Sequence, residues 1–107
     1  MKLIRIAETC QFRSDKFLPE LLCGSAGARV FALCLERGQG LSPRSDSEEA
    51  VCFLVEGRGT IRLADATFPM AAGDVAVAPA GTVRGLEADS RCVALWVQVS
   101  QKDEADA

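Results

Sequence analysis

Six short runs rich in Val, Leu, Ile and Phe, each ended by turn-forming residues, restrict this chain to a β fold more tightly than any other feature of its sequence. They cover residues 3–7 (LIRIA), 29–36 (RVFALCLE), 50–55 (AVCFLV), 60–63 (TIRL), 74–78 (DVAVA) and 92–99 (CVALWVQV). The separators Gly38-Gln39-Gly40, Glu56-Gly57-Arg58-Gly59, Ala72-Gly73-Asp74 and Pro79-Ala80-Gly81 supply residues that accept positive φ or preset a turn. No long apolar stripe of period 3.6 appears, and the best helical stretch, residues 15–23, is interrupted by Pro19. Apolar alternation resumes directly after Glu56-Gly57-Arg58-Gly59, which predicts a hairpin there. Many short strands with Gly-rich turns indicate an all-β sandwich or barrel.

Composition narrows the class. With 49% hydrophobic and 25% charged residues the chain has a globular balance, and its 107 residues suit one domain over 1–107 without a linker. Its apolar runs fall far short of the roughly 20 residues that span a bilayer, so no membrane partner is expected. The N-terminal MKLIRIAETC reads as a first strand rather than a signal peptide, because charges interrupt it. Net charge is −3 and the 12 basic residues are dispersed, which argues against a nucleic-acid partner. The acidic stretch 102–107 is expected to be a frayed tail.

Cys10, Cys23, Cys34, Cys52 and Cys92 are odd in number and contain no CxxC pair. That spacing favours neither a zinc site nor a disulfide framework. The expectation is reduced cysteines, most of them in the core, and a cytoplasmic protein.

Two glycine-bearing blocks resemble the paired motifs of the cupin superfamily, whose members fold as a jelly-roll β-barrel of the RmlC-like type. In the first motif Gly38 is followed after five residues by Arg44, then by Asp46, Ala50 and Gly57 at the motif's spacing. In the second, Gly73, Pro79 and Gly81 keep their places, and Arg84 stands where the motif has histidine. The resemblance spans about residues 28–99, which it implies is the barrel core, with residues 1–27 as an N-terminal strand and dimer-crossing segment. In metal-binding cupins the corresponding positions hold two histidines, a glutamate and a further histidine. This sequence contains no histidine, and Arg44, Asp46, Ala50 and Arg84 occupy those positions. A guanidinium has no lone pair to donate and Ala50 has no donor atom, so no metal and no cofactor are expected. An inward shift of Glu48 or Glu49 would add a carboxylate beside Asp46, but two arginines would oppose a cation there.

Three functions compete for such a pocket. Arg44 and Arg84 are suited to bind a small anionic molecule, since two guanidinium forks match a carboxylate or phosphate. An Asp46–arginine bridge would instead plug the barrel and leave a structural or regulatory module. A metal-independent, isomerase-like enzyme would need a carboxylate or Cys52, whose thiol a nearby Arg84 would activate by lowering its pKa. Arg44, Asp46, Cys52 and Arg84 are therefore the candidate ligand-binding residues, with no catalytic residue assigned. Trp96 reads as core or interface packing. Phe12, Phe17 and Leu18, in the early segment, together with the small size of the barrel, point to a homodimer.

Overall fold

The computed structural model describes residues 2–100, so the acidic tail expected at 102–107 lies outside the described residues. A single helical turn, α1 (Ile6–Thr9), precedes nine strands: β1 (Glu20–Gly24), β2 (Ala28–Leu35), β3 (Gly40–Arg44), β4 (Glu49–Glu56), β5 (Arg58–Leu63), β6 (Ala66–Ala71), β7 (Val75–Ala78), β8 (Arg84–Ala88) and β9 (Cys92–Val99). They form two antiparallel sheets in the orders β1-β2-β9-β4-β7 and β3-β8-β5-β6. The result is the expected all-β jelly roll. The expected run at residues 92–99 coincides with β9, and four others are found within two residues at either end.

Alternation decides what lies inside. Leu33 and Leu35 on β2, Ala50, Cys52 and Leu54 on β4, and Cys92, Ala94 and Trp96 on β9 point into one buried cluster. Ile61, Met70, Leu86 and Ala88 from the second sheet close it. Leu33, Leu35 and Leu54 are fully buried, so truncating any of them to Ala costs about 2–5 kcal/mol. At the far end of the same inner stripe the residues turn polar, with Arg29 paired opposite Gln98. The apolar core stops there, and the cavity begins.

Two expectations of secondary structure are corrected. Residues 56–59 do not form a hairpin, because β4 pairs with β7 and β9 while β5 pairs with β6 and β8. Gly57, at φ +84°, carries the chain from one sheet to the other, and a Cβ there would lie 2.3 Å from the Arg91 carbonyl oxygen. The stretch 15–23 forms no helix, in keeping with the interruption at Pro19, and beyond Pro19 it becomes β1, paired with β2. The expected first strand at 3–7 is absent, replaced by the turn α1.

This segment leads to a disulfide between Cys10 and Cys34, which corrects the expectation of five reduced thiols. Cys34 alternates with the inward Leu33 and Leu35, so it faces outward, and Cys10 lies over the sheet rather than beside it. A segment on a sheet face has no ladder partner. Its backbone closes locally instead, with Cys10 N–H donating to Ile6 O at 2.9 Å. Beyond Cys10, Gln39 Nε2 donates to Arg13 O at 2.6 Å, and the Arg91 guanidinium sits 4.2 Å over the Phe12 ring. Arg91 also grips Glu36 through both carboxylate oxygens, at 3.0 and 2.7 Å, which holds the Glu36 carboxyl below its ordinary value. Free thiols remain at Cys23, Cys52 and Cys92.

Candidate functional site

The open end of the barrel holds a cavity of about 700 Å³, within the range of small-molecule sites. Its apolar wall is Phe17, Phe31, Leu33, Leu41 and Trp96. Its polar groups are Arg29, Ser42, Arg44, Asp46, Glu48, Arg84 and Gln98. Three of the four residues expected at the site, Arg44, Asp46 and Arg84, therefore meet in one space. Trp96 belongs to both the core cluster and the cavity wall.

Arg84 opens β8 and is 4% exposed, the one charged residue in the buried class among the described residues. Its guanidinium is held by the second-motif turn. Nε donates to the Thr82 carbonyl at 2.6 Å and Nη2 to the Pro79 carbonyl at 2.9 Å. Those carbonyls satisfy the buried charge without any carboxylate. Nη1 makes no hydrogen bond among the described residues, and Arg84 lines the cavity.

Asp46 serves the loop between β3 and β4. Its Oδ1 accepts the Glu48 backbone N–H at 2.9 Å, an Asx turn, and its carbonyl accepts the Gly81 N–H at 2.7 Å. The first-motif loop is thereby pinned to the second-motif turn. Arg44, at the exposed end of β3, makes no hydrogen bond or ion pair through its side chain among the described residues. The Asp46–arginine bridge that would plug the barrel is not formed.

The bridge that does form joins Arg29 to Glu48, and Gln98 Nε2 donates to the same Glu48 oxygen, Oε1, at 2.6 Å. The sequence marks Glu48 only as one of the carboxylates near Ala50, and sequence reasoning misses Arg29 and Gln98. The signal for them is nonetheless present. Each is the polar terminus of an inward stripe, Arg29 ahead of Phe31, Leu33 and Leu35, and Gln98 after Cys92, Ala94 and Trp96.

Cys52 does not belong with these residues. It points inward from the middle of β4, is 2% exposed and does not line the cavity. Burial, with the neighbouring Cys92 adding to it, pushes its thiol up to about 12, the opposite of the activation expected from Arg84. It is a neutral core side chain.

The donor set does not fit a metal. Arg44 and Arg84 have no lone pair, Ala50 is buried against Ala78 and Gln98, and no cluster of three His, Cys, Asp or Glu side chains occurs among the described residues. Two guanidiniums at the ligand positions also oppose a cation.

Comparison with known proteins agrees with this architecture. The chain is similar over 92% of its length to TT1209 from Thermus thermophilus, covering 97% of that chain, with TM-score 0.87 and 20% identity. It is similar, over 92% of its length and 96% of the other, to an RmlC-like cupin protein from Desulfovibrio desulfuricans, with TM-score 0.84 and 27% identity. The SPY1581 protein of unknown function from Streptococcus pyogenes matches with TM-score 0.82 and 23% identity, covering 92% of this chain and 87% of that one. No curated protein matches the sequence. A cupin-domain model matches residues 32–98, which contain both glycine motifs. With that match laid over a barrel whose motif turns are Gly57 and Pro79-Ala80-Gly81, the chain belongs to the cupin superfamily.

Proposed function

We propose that this cupin binds a small organic anion in its barrel, with Arg44 as the principal contact and Arg84 Nη1 beside it. The observation that carries the reading is an arginine without a partner on a ligand-sized cavity. Arg44 has no ion pair among the described residues, and it lines a space of about 700 Å³. A guanidinium in this position favours an oxyanion, through charge and through paired N–H donors. Phe17, Phe31 and Trp96 supply the apolar surface that a carbon skeleton would cover.

Calorimetry and thermal-shift measurements with organic acids and sugar phosphates test this. At least one anion should stabilise the protein, and Arg44→Ala should abolish the effect without lowering the melting temperature of the free protein. No stabilisation by any anion, or full stabilisation retained in Arg44→Ala, would overturn it.

We also propose a homodimer, formed through the outer face of β4 and β7. Phe12 and Phe17 pack within their own chain, under Arg91 and on the cavity. Leu18 of the early segment is exposed, and so is the outer face of β4 and β7, where Phe53 pairs with Val75 and Val51 with Val77. Phe53, Val75 and Val77 are 38%, 57% and 49% exposed, an apolar strip that a second copy would bury. Sedimentation should show a dimer that Val75→Asp disperses; a monomer at tens of micromolar would contradict it. No helix is long and apolar enough to cross a membrane among the described residues. The Cys10–Cys34 bond is not of the kind expected in the reducing cytoplasm.

A further inference from the structure

The cavity's unused hydrogen-bonding groups go beyond anion affinity and define what else the ligand must carry. Glu48 receives Arg29 and Gln98 on Oε1 alone, so Oε2 accepts nothing among the described residues. Asp46 uses Oδ1 for its turn, and Oδ2 likewise accepts nothing. Both residues line the same cavity as Arg44. A carboxylate oxygen has no proton to give, so these two positions ask the ligand for hydroxyl or ammonium donors.

Charge separates those alternatives. Arg29, Arg44 and Arg84 line the cavity together with Asp46 and Glu48, three guanidiniums against two carboxylates. One positive charge is left over. A zwitterion would leave it uncompensated, a dianion would overcompensate it, and a single carboxylate would neutralise it. We infer that the anion taken by this cavity is a hydroxylated monocarboxylate, its carboxylate on Arg44 and its hydroxyls donating to Glu48 Oε2 and Asp46 Oδ2. This rests on the anion-binding reading above. An aliphatic acid of equal length fills the apolar wall as well, but it desolvates both carboxylate oxygens without giving them a donor. Sites built to hydrogen-bond a hydroxyl reject the analogue that lacks it for that reason.

Calorimetry with three probes tests the inference: gluconate, hexanoate as its chain-length match without hydroxyls, and galactarate as the hydroxylated dianion. Gluconate should bind at least about tenfold tighter than either of the others. Glu48→Gln replaces the free acceptor by a donor and adds one positive charge. It should weaken gluconate about tenfold, leave hexanoate within about twofold, and move the preference toward galactarate. Asp46→Asn, in which the amide oxygen can keep the Asx turn, should weaken gluconate in the same direction and guards against a folding defect in the first variant. Equal affinity for gluconate and hexanoate, both lost in Arg44→Ala, would overturn the hydroxyl requirement and leave anion binding standing. Binding of none of the three would overturn the monocarboxylate class, and sugar phosphates would then decide the broader reading.

Discussion

Arg84 Nη2 holds the carbonyl oxygen of Pro79, five residues earlier in the chain, at 2.9 Å. The position that carries a histidine in the cupin motif is therefore occupied by a side chain that fastens the motif's own turn. Its Nε bond to Thr82 tightens the same loop. Each is a hydrogen bond from a charged donor, worth more than a neutral one and costly to leave unmade in a buried place.

Arg84 and Arg44 should consequently separate in their effects on stability. Arg84→Ala removes both bonds and leaves the Thr82 carbonyl without a partner, while the Pro79 carbonyl keeps the Thr82 N–H at 3.1 Å, a loss of about 3 kcal/mol. In a domain of this size that is a fall on the order of 15 °C in melting temperature. Arg44→Ala, at an exposed and unpaired side chain, should stay within about 0.5 kcal/mol of the parent. Urea unfolding of both variants checks this. Equal losses would show that the carbonyl contacts contribute nothing particular.

Thiol chemistry gives a second set of outcomes. A thiol reagent should modify Cys23 quickly in the native protein, while Cys52 and Cys92 react only after denaturation. The denatured, unreduced chain should yield three thiols in total, and reduction should raise the count to the five cysteines of the sequence. Opening the Cys10–Cys34 bond frees a loop of 24 residues and should cost about 3 kcal/mol. Burial pushes Cys52 up to about 12 and Cys92 up to about 11, from an ordinary 9.0. With folded values raised, stability is complete below pH 9 and declines as the pH climbs toward 11 and 12, because the unfolded chain releases those protons first. Unfolding free energies at about pH 8 and about pH 10.5 should differ, and Cys52→Ala should reduce the difference by about half, leaving the part due to Cys92.

Gly40 should tolerate no side chain. It pairs with Glu87 where β3 meets β8, and a Cβ there would lie 1.9 Å from the Leu86 carbonyl oxygen. The clash is with backbone, which cannot swing aside. Gly40→Ala should destabilise by about 3 kcal/mol or more, visible as a lowered urea midpoint. A neutral result would mean that β3 sits farther from β8 than described.

The fold was legible where apolar alternation ran unbroken. β9 is found at its expected bounds, and β2, β4, β5 and β7 shift by at most two residues. The strands that escaped notice carry glycine or proline, as in β3 with Pro43, β6 with Pro69 and β8 with Gly85. β3 and β6 are edge strands, where a missing N–H costs no ladder bond. For the site, the motif spacing brought Arg44, Asp46 and Arg84 to one cavity, but not the partners that Arg84 would choose. Carbonyl oxygens are present at every residue and leave no mark in a sequence. The Cys10–Cys34 bond was hidden for a related reason, since its two halves meet only once a segment is laid over the outside of a sheet.

The grip of Arg84 on its turn bears on what a histidine could do at that position. A single reversion, Arg84→His, would restore the motif's letter and at the same time release Pro79 and Thr82, because the shorter imidazole cannot span both carbonyls. Ala50 would still lack a carboxylate, and Arg44 would still oppose a cation. Histidine at position 84 would therefore give up two hydrogen bonds and find, among the described residues, no set of ligands to join. A position that serves elsewhere in the family as a ligand is here a clasp, and the clasp and the ligand exclude one another.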